Sequence, residues 1–206
     1  MSSACIQLEE MTQKKLAKQL ALQCAPLLVG IKVSNIFIVN IEDEQYVKAL
    51  FKESIISYEV LFKCEKRIVF FLYHKKQLQK HISESRQQYL MKQLGYAESN
   101  LEEIIKQLTG RYQCYMTFKQ QFPHELGILL GYPHEDVEAF IKYQGKDCLC
   151  SGYWKVYSDV KKAKKIFKSY DKAKQMVLKM VANGMGIQEI IEKYHEKNQE
   201  QEPLAV

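Results

Sequence analysis

At 206 residues, 47% of them apolar and 26% charged, the chain is long enough to bury one substantial core without disulfide staples. Its formal charge of +6 is mild for that length; it permits an acidic partner without demanding nucleic acid, which is not the expected partner, because solubility alone would explain the charge. No apolar run approaches the span of a bilayer, and the start, MSSACIQLEEMTQKK, lacks the basic segment and apolar block of a secretory leader, so a cytoplasmic protein with no membrane role is expected. In that reducing setting the cysteines at 5, 24, 64, 114, 148 and 150 are free thiols or ligands.

Taken in chain order, residues 11–22 read as a helix leading to Cys24-Ala25-Pro26, where Pro26 is placed to start a helix with Cys24 at its N-terminus. SNIFIVN, 34–40, is rich in β-formers and reads as a strand; DEQYVKALFKES after it reads as a helix. YEVLFK (58–63) and RIVFFLY (67–73) form a hairpin. The first alternates, with Tyr58, Val60 and Phe62 on one side, while the continuously apolar second belongs in the middle of a sheet. His74 to Leu94 is expected as one long helix stopped by Gly95. In ESNLEEIIKQL, Ser99 and Glu102 suggest a capping box, and Leu101, Ile104, Ile105 and Leu108 share a face.

Two short helices, 123–130 and 133–143, follow back to back, with Pro123 and Pro133 as openers and Gly131 and Gly145 as stops. YWKVY, 153–157, is a short strand. Asp159 to Val181 is a long amphipathic helix, and Ile187, Ile190, Ile191 and Tyr194 mark a final short helix before a polar, frayed tail. The sum is an α+β fold: a small mixed sheet with a β-hairpin, packed by many helices, in a single domain over 1–182 with the C-terminal helix and tail over 183–206.

The helix pair at 122–140 has the outline of a helix-turn-helix, with Gly127 inside the first helix and Gly131 at the turn. Its second helix, however, would present His134, Glu135, Asp136 and Glu138 to the phosphates, so DNA binding is the weakest reading.

Cys24-Ala-Pro26 with Gly30-Ile-Lys32 and Asn35, then Phe122-Pro-His-Glu125, Leu130-Gly-Tyr-Pro133 and Glu135-Asp-Val137, then Gly152-Tyr-Trp-Lys-Val-Tyr157 with Ala163 and Phe167, resemble a bacterial family classed as a domain of unknown function, family 3793. The resemblance runs from about Leu16 to Tyr170. It carries no catalytic residue or cofactor. It implies genes placed near flavodoxins and iron-uptake systems, hence a binding or accessory role in redox or iron and haem metabolism, with a flavodoxin as the acidic partner.

The residues themselves suggest four sites. A thiol enzyme would join Cys24 to His124 with Glu125 orienting the imidazole. Cys148 and Cys150 put two thiols on one side of an extended segment, a start for a zinc or iron site that Cys114, His124 or His134 would have to complete. Tyr153, Trp154, Lys155 and Tyr157 could hold a flat cofactor such as flavin or haem, although on a strand Trp154 and Val156 turn inward as ordinary core. Lys161, Lys165, Lys168 and Lys172 form a basic helix face suited to an acidic surface, electron carrier or RNA. No glycine loop of the phosphate-binding kinds occurs, which weakens nucleotide readings. The sequence leaves the cofactor and the oligomeric state open.

Overall fold

The structure, a computed structural model, describes residues 3–96 and 100–200. A three-stranded antiparallel sheet of β1 (Ser34–Asn40), β2 (Ile56–Lys63) and β3 (Arg67–His74) sits at its centre in the order β1-β3-β2. All its pairings are antiparallel, where a mixed sheet was expected. β3 is the middle strand because Ile68 to Leu72 is apolar at every position, and burial of all five at 0–4% exposure requires cover on both faces.

Alternation divides that cover into two cores. Phe37, Val39, Ile68, Phe70 and Leu72 face α1 (Ser3–Leu28), α2 (Glu44–Phe51), α8 (Val160–Ala182) and α9 (Ile187–Glu200). Val69 and Phe71 face α3 (Lys75–Ile82), α4 (Ser85–Gln93), α5 (Leu101–Phe118), α6 (Glu125–Leu129) and α7 (His134–Lys142). The expected alternation of β2 breaks at its end. A bulge between Val60 and Phe62 inserts Leu61, so Leu61 and Phe62 join the second core while Tyr58 and Val60 remain in the first.

Several elements depart from their sequence outlines. The first helix runs on to Leu28 with Pro26 inside it, so Cys24 lies in its last turns and not at a helix start. The helix closes two residues later, and the Pro26 carbonyl accepts from the N–H groups of Ile31 and Lys32 beyond its end. The segment 74–94 is two helices. Glu84 is extended, and Ser83 Oγ donates to the carbonyls of Gln79 and Lys80, ending α3 and letting Leu78 and Ile82 of α3 and Leu90 and Met91 of α4 reach one core. Asn100 caps α5, accepting from Glu102 N; Ser99 lies outside the described residues. Leu101, Ile104, Ile105 and Leu108 are all buried on the second core.

At the C-terminal side, α9 inserts Ile187, Ile190 and Ile191 into the first core. It continues to Glu200, through the first half of the segment expected to fray; 201–206 lie outside the described residues. The expected strand 153–157 shrinks to β5 (Lys155–Val156), which pairs with β4 (Cys150–Ser151) in a separate two-stranded sheet. This hairpin lies against α8 through Trp154, Val156, Ala163 and Tyr170, a third small core.

Candidate functional site

The helix corner is built by its punctuation. Gly131 takes φ +74°, its N–H donates to Ile128 O, and Tyr132 N donates to Gly127 O, the paired bonds of a Schellman close. Pro133 is the residue before α7, extended at φ −54°, ψ 132°, and not its first helical residue. Two side chains from other elements fasten the end of α6: His81 Nε2 lies 3.0 Å from Ile128 O, and Ser34 Oγ donates to Leu129 O at 2.5 Å. At Gly127 a Cβ would lie 3.1 Å from Val137 Cγ2, so the glycine lets α6 and α7 meet closely.

Between α6, α7 and β5 this corner encloses a pocket of about 310 Å³. Leu126, Leu130, Val137 and Phe140 supply aliphatic and aromatic surface, Tyr132 and Trp154 a stacked pair with ring centres 5.2 Å apart, and Phe122 and His124 the segment entering α6. Lys155 is the cation at its edge. A larger concavity of about 1220 Å³ runs between α1, α2 and the turn joining α8 to α9, but among the described residues no His, Cys, Asp or Glu lines it.

His124 is the polar feature of the pocket. Its ring meets Phe122 and Phe140 at centre distances of 5.8 and 5.9 Å, both tilted. Nδ1 is buried without a hydrogen-bond partner. Burial lowers the imidazole pKa from its ordinary value, outweighing the pull of Glu125, so the ring is neutral at pH 7. A buried bare acceptor is cheaper than a buried orphan N–H, which places the proton on Nε2.

Asp136 supports this pocket and is not a surface carboxylate. It is 2% exposed. Oδ2 accepts from Trp154 Nε1 at 2.7 Å; Oδ1 accepts from Tyr157 N, Ser158 N and Ser158 Oγ at 2.8, 2.9 and 2.8 Å. With four donors on it, the carboxylate ties the 150s hairpin to the first turn of α7. Sequence reasoning put Asp136 on an exposed recognition helix, and the Trp154 pairing that would have shown otherwise joins residues eighteen apart.

The proposed thiol dyad does not assemble. Cys24, 0% exposed in the first core, has Asn35 Nδ2 donating to its sulfur at 3.3 Å, and no hydrogen bond joins it to His124, which belongs to the opposite side of the sheet. Burial pushes the Cys24 thiol up to about 12, the reverse of activation. Glu125 turns away from the imidazole's pocket. At 1% exposure it accepts from Tyr96 Oη at 2.8 Å and Arg111 Nη1 at 3.2 Å, with the guanidinium 4.8 Å from the centre of the Tyr96 ring.

The remaining candidates disperse as well. Among the described residues no three His, Cys, Asp or Glu side chains are grouped to hold a metal, so half-buried Cys148 and Cys150 lack the further ligands a zinc or iron site needs. Tyr153 lies against Phe167 and Tyr170 and donates to Asp171 Oδ1, and Tyr157 stacks on Tyr143; only Trp154 and Lys155 of the aromatic block reach the pocket. Lys161, Lys165, Lys168 and Lys172 are all exposed along α8.

A contact chain nevertheless links the quoted blocks. Asn35 Oδ1 accepts from Lys32 Nζ at 2.6 Å, Lys32 Nζ lies 5.5 Å from the centre of the Tyr132 ring, and Tyr132 stacks on Trp154. Lys32 is 6% exposed, and burial lowers its pKa to about 8 against a smaller opposing effect of Cys24.

The model of the family described as protein of unknown function (DUF3793) matches residues 20–191, and the chain belongs to that family. The match extends past Tyr170, where the resemblance of the quoted blocks ends, into α9. No curated protein and no solved structure matches the chain.

Proposed function

Starting from that membership, we propose that the protein is a binding or accessory protein whose site is the pocket of the 122–140 corner. The carrying observation is the pocket itself: an apolar chamber of about 310 Å³, within the range that holds small molecules, walled by aromatic rings and furnished with a neutral imidazole and one lysine. Trp154, the sole tryptophan of the chain, lines it and so serves as a built-in reporter. Titration of the purified protein with flat aromatic compounds, read by Trp154 emission and by ligand-observed NMR, is expected to give saturable one-site binding. Absence of any saturable ligand among such compounds would remove this reading.

A role in redox or iron and haem metabolism, in the cytoplasm, is the finer form of the same proposal, and one feature favours an acidic partner such as a flavodoxin. Lys161, Lys165, Lys168 and Lys172 follow one another at four, three and four residues, a single stripe about 16 Å long on α8. The opposite side of α8, at Ala163, Phe167 and Tyr170, carries the hairpin that bears Trp154. A partner docked on the stripe would therefore lie close to an occupied pocket. Binding to a flavodoxin that weakens steeply with salt, and in Lys165→Glu/Lys168→Glu, is the expected result; salt-independent binding or none would end it.

A further inference from the structure

We infer that the ligand of this pocket is a flat aromatic carboxylate, an inference that rests on the binding reading above and goes on to name the chemical class. The apolar and ring surfaces of Val137, Phe140 and Trp154 select a planar hydrophobic body. The polar groups select the substituent: the spare acceptor, His124 Nδ1, is buried, and the remaining spare capacity of His124 and Lys155 is that of donors. His124 is neutral with Nδ1 buried and unpartnered, which leaves its N–H on Nε2. Lys155 Nζ donates one hydrogen bond, to Gly145 O at 2.6 Å, and an ammonium has two more to give.

Asp136, the carboxylate among the lining residues, does not oppose this. Its two oxygens already accept four hydrogen bonds from Trp154, Tyr157 and Ser158, so it offers a ligand no acceptor and its charge is spread over donors turned toward the hairpin. A cationic head group would meet donors with nothing to accept from them, and a neutral amide would offer one acceptor oxygen and no charge to pair with the Lys155 ammonium. An acceptor-only oxyanion satisfies both His124 and Lys155 and adds an ion pair at the exposed edge of the pocket. The volume fits one or two fused rings and not a tetrapyrrole.

The test uses an isosteric pair, 2-naphthoate and 2-naphthamide, titrated into the full chain and into Lys155→Met, with Trp154 emission and ligand-observed NMR as readouts. Lys164→Met, exposed on α8 and part of no proposed site, serves as control. The expected result is that naphthoate binds at least about fivefold more tightly than naphthamide at low salt, the effect of a partly exposed ion pair. That advantage is lost in Lys155→Met, which binds naphthamide as before, and is kept in Lys164→Met. Equal affinities, or a preference for the amide, would overturn the carboxylate assignment while leaving the pocket as a binding site. Saturable binding of neither compound would overturn the assignment together with the binding reading.

Discussion

Trp154 Nε1 donates to Asp136 Oδ2 at 2.7 Å, a buried bond that joins the first turn of α7 to the β4–β5 hairpin. The same carboxylate holds Tyr157 and Ser158, so one side chain fixes both the Trp154 wall of the pocket and the chain that follows β5. Asp136→Ala leaves the indole N–H and two backbone N–H groups without an acceptor. A loss of about 3 kcal/mol is expected in urea unfolding, together with a red-shifted Trp154 emission as the hairpin loosens. An unchanged unfolding midpoint would show that the hairpin is held by its apolar contacts alone.

Gly152 places its Cα against Phe167. A Cβ there would collide with the Phe167 ring, which itself meets Trp154 edge-on at a centre distance of 4.5 Å. Gly152→Ala must therefore push Phe167 off Trp154 or lift the hairpin from α8. The expected cost is about 1–3 kcal/mol with a changed Trp154 emission, and Gly152→Ala/Phe167→Leu should recover part of it.

Sequence periodicity was enough to place the three strands of the central sheet, the central position of β3 and the corner, because each rests on a local signal: continuous apolarity, a capping glycine, a proline at a boundary. The site was only half legible. His124, Trp154 and Lys155 were singled out and do line one pocket, but they were assigned to different chemistries, since nothing in the chain states that a segment at 124 faces one at 154. Cys24 misled because Pro26, a frequent helix opener, here lies in the last turn of a helix, whose closure depends on the Pro26 carbonyl accepting from the N–H groups of Ile31 and Lys32. Asp136 was missed because a carboxylate in a first helical turn reads as solvated until its tertiary donors are known.

The position of Cys24 gives a direct chemical expectation. With its thiol pushed up to about 12 and no exposed surface, it should resist iodoacetamide in the native protein across the ordinary alkaline range, while exposed Cys64 is alkylated. Mass spectrometry of tryptic peptides after native and denatured labelling separates the two. Native modification of Cys24 at neutral pH would mean that the end of α1 opens, and would return the thiol to consideration as a nucleophile. Cys24→Ala is expected to cost about 1–2 kcal/mol through lost packing, since Asn35 Nδ2 still donates to the carbonyls of Gln23 and Ile36 at 2.8 Å each, without effect on ligand binding.

Lys32 tests whether the link between the first core and the pocket is under electrostatic stress. Its ammonium is 6% exposed, with Asn35 Oδ1 as hydrogen-bond acceptor and the Tyr132 ring beside it, and burial brings its pKa down from 10.5 to about 8. The unfolded chain therefore holds the Lys32 proton at pH values where the folded chain has released it. Because the unfolded state binds more protons in that interval, stability rises with pH from about 8 toward the unfolded value. Below about 8 both states are protonated and the burial cost is fully present. Urea midpoints taken between about pH 7.5 and about pH 9.5 should climb for the natural chain relative to Lys32→Met, which keeps only the opposing effect of the raised Cys24 thiol common to both proteins, a comparison of slopes that is insensitive to the acceptor left on Asn35. Parallel slopes in the two proteins would mean that Lys32 reaches water in solution, and that Tyr132 is not held against a buried cation.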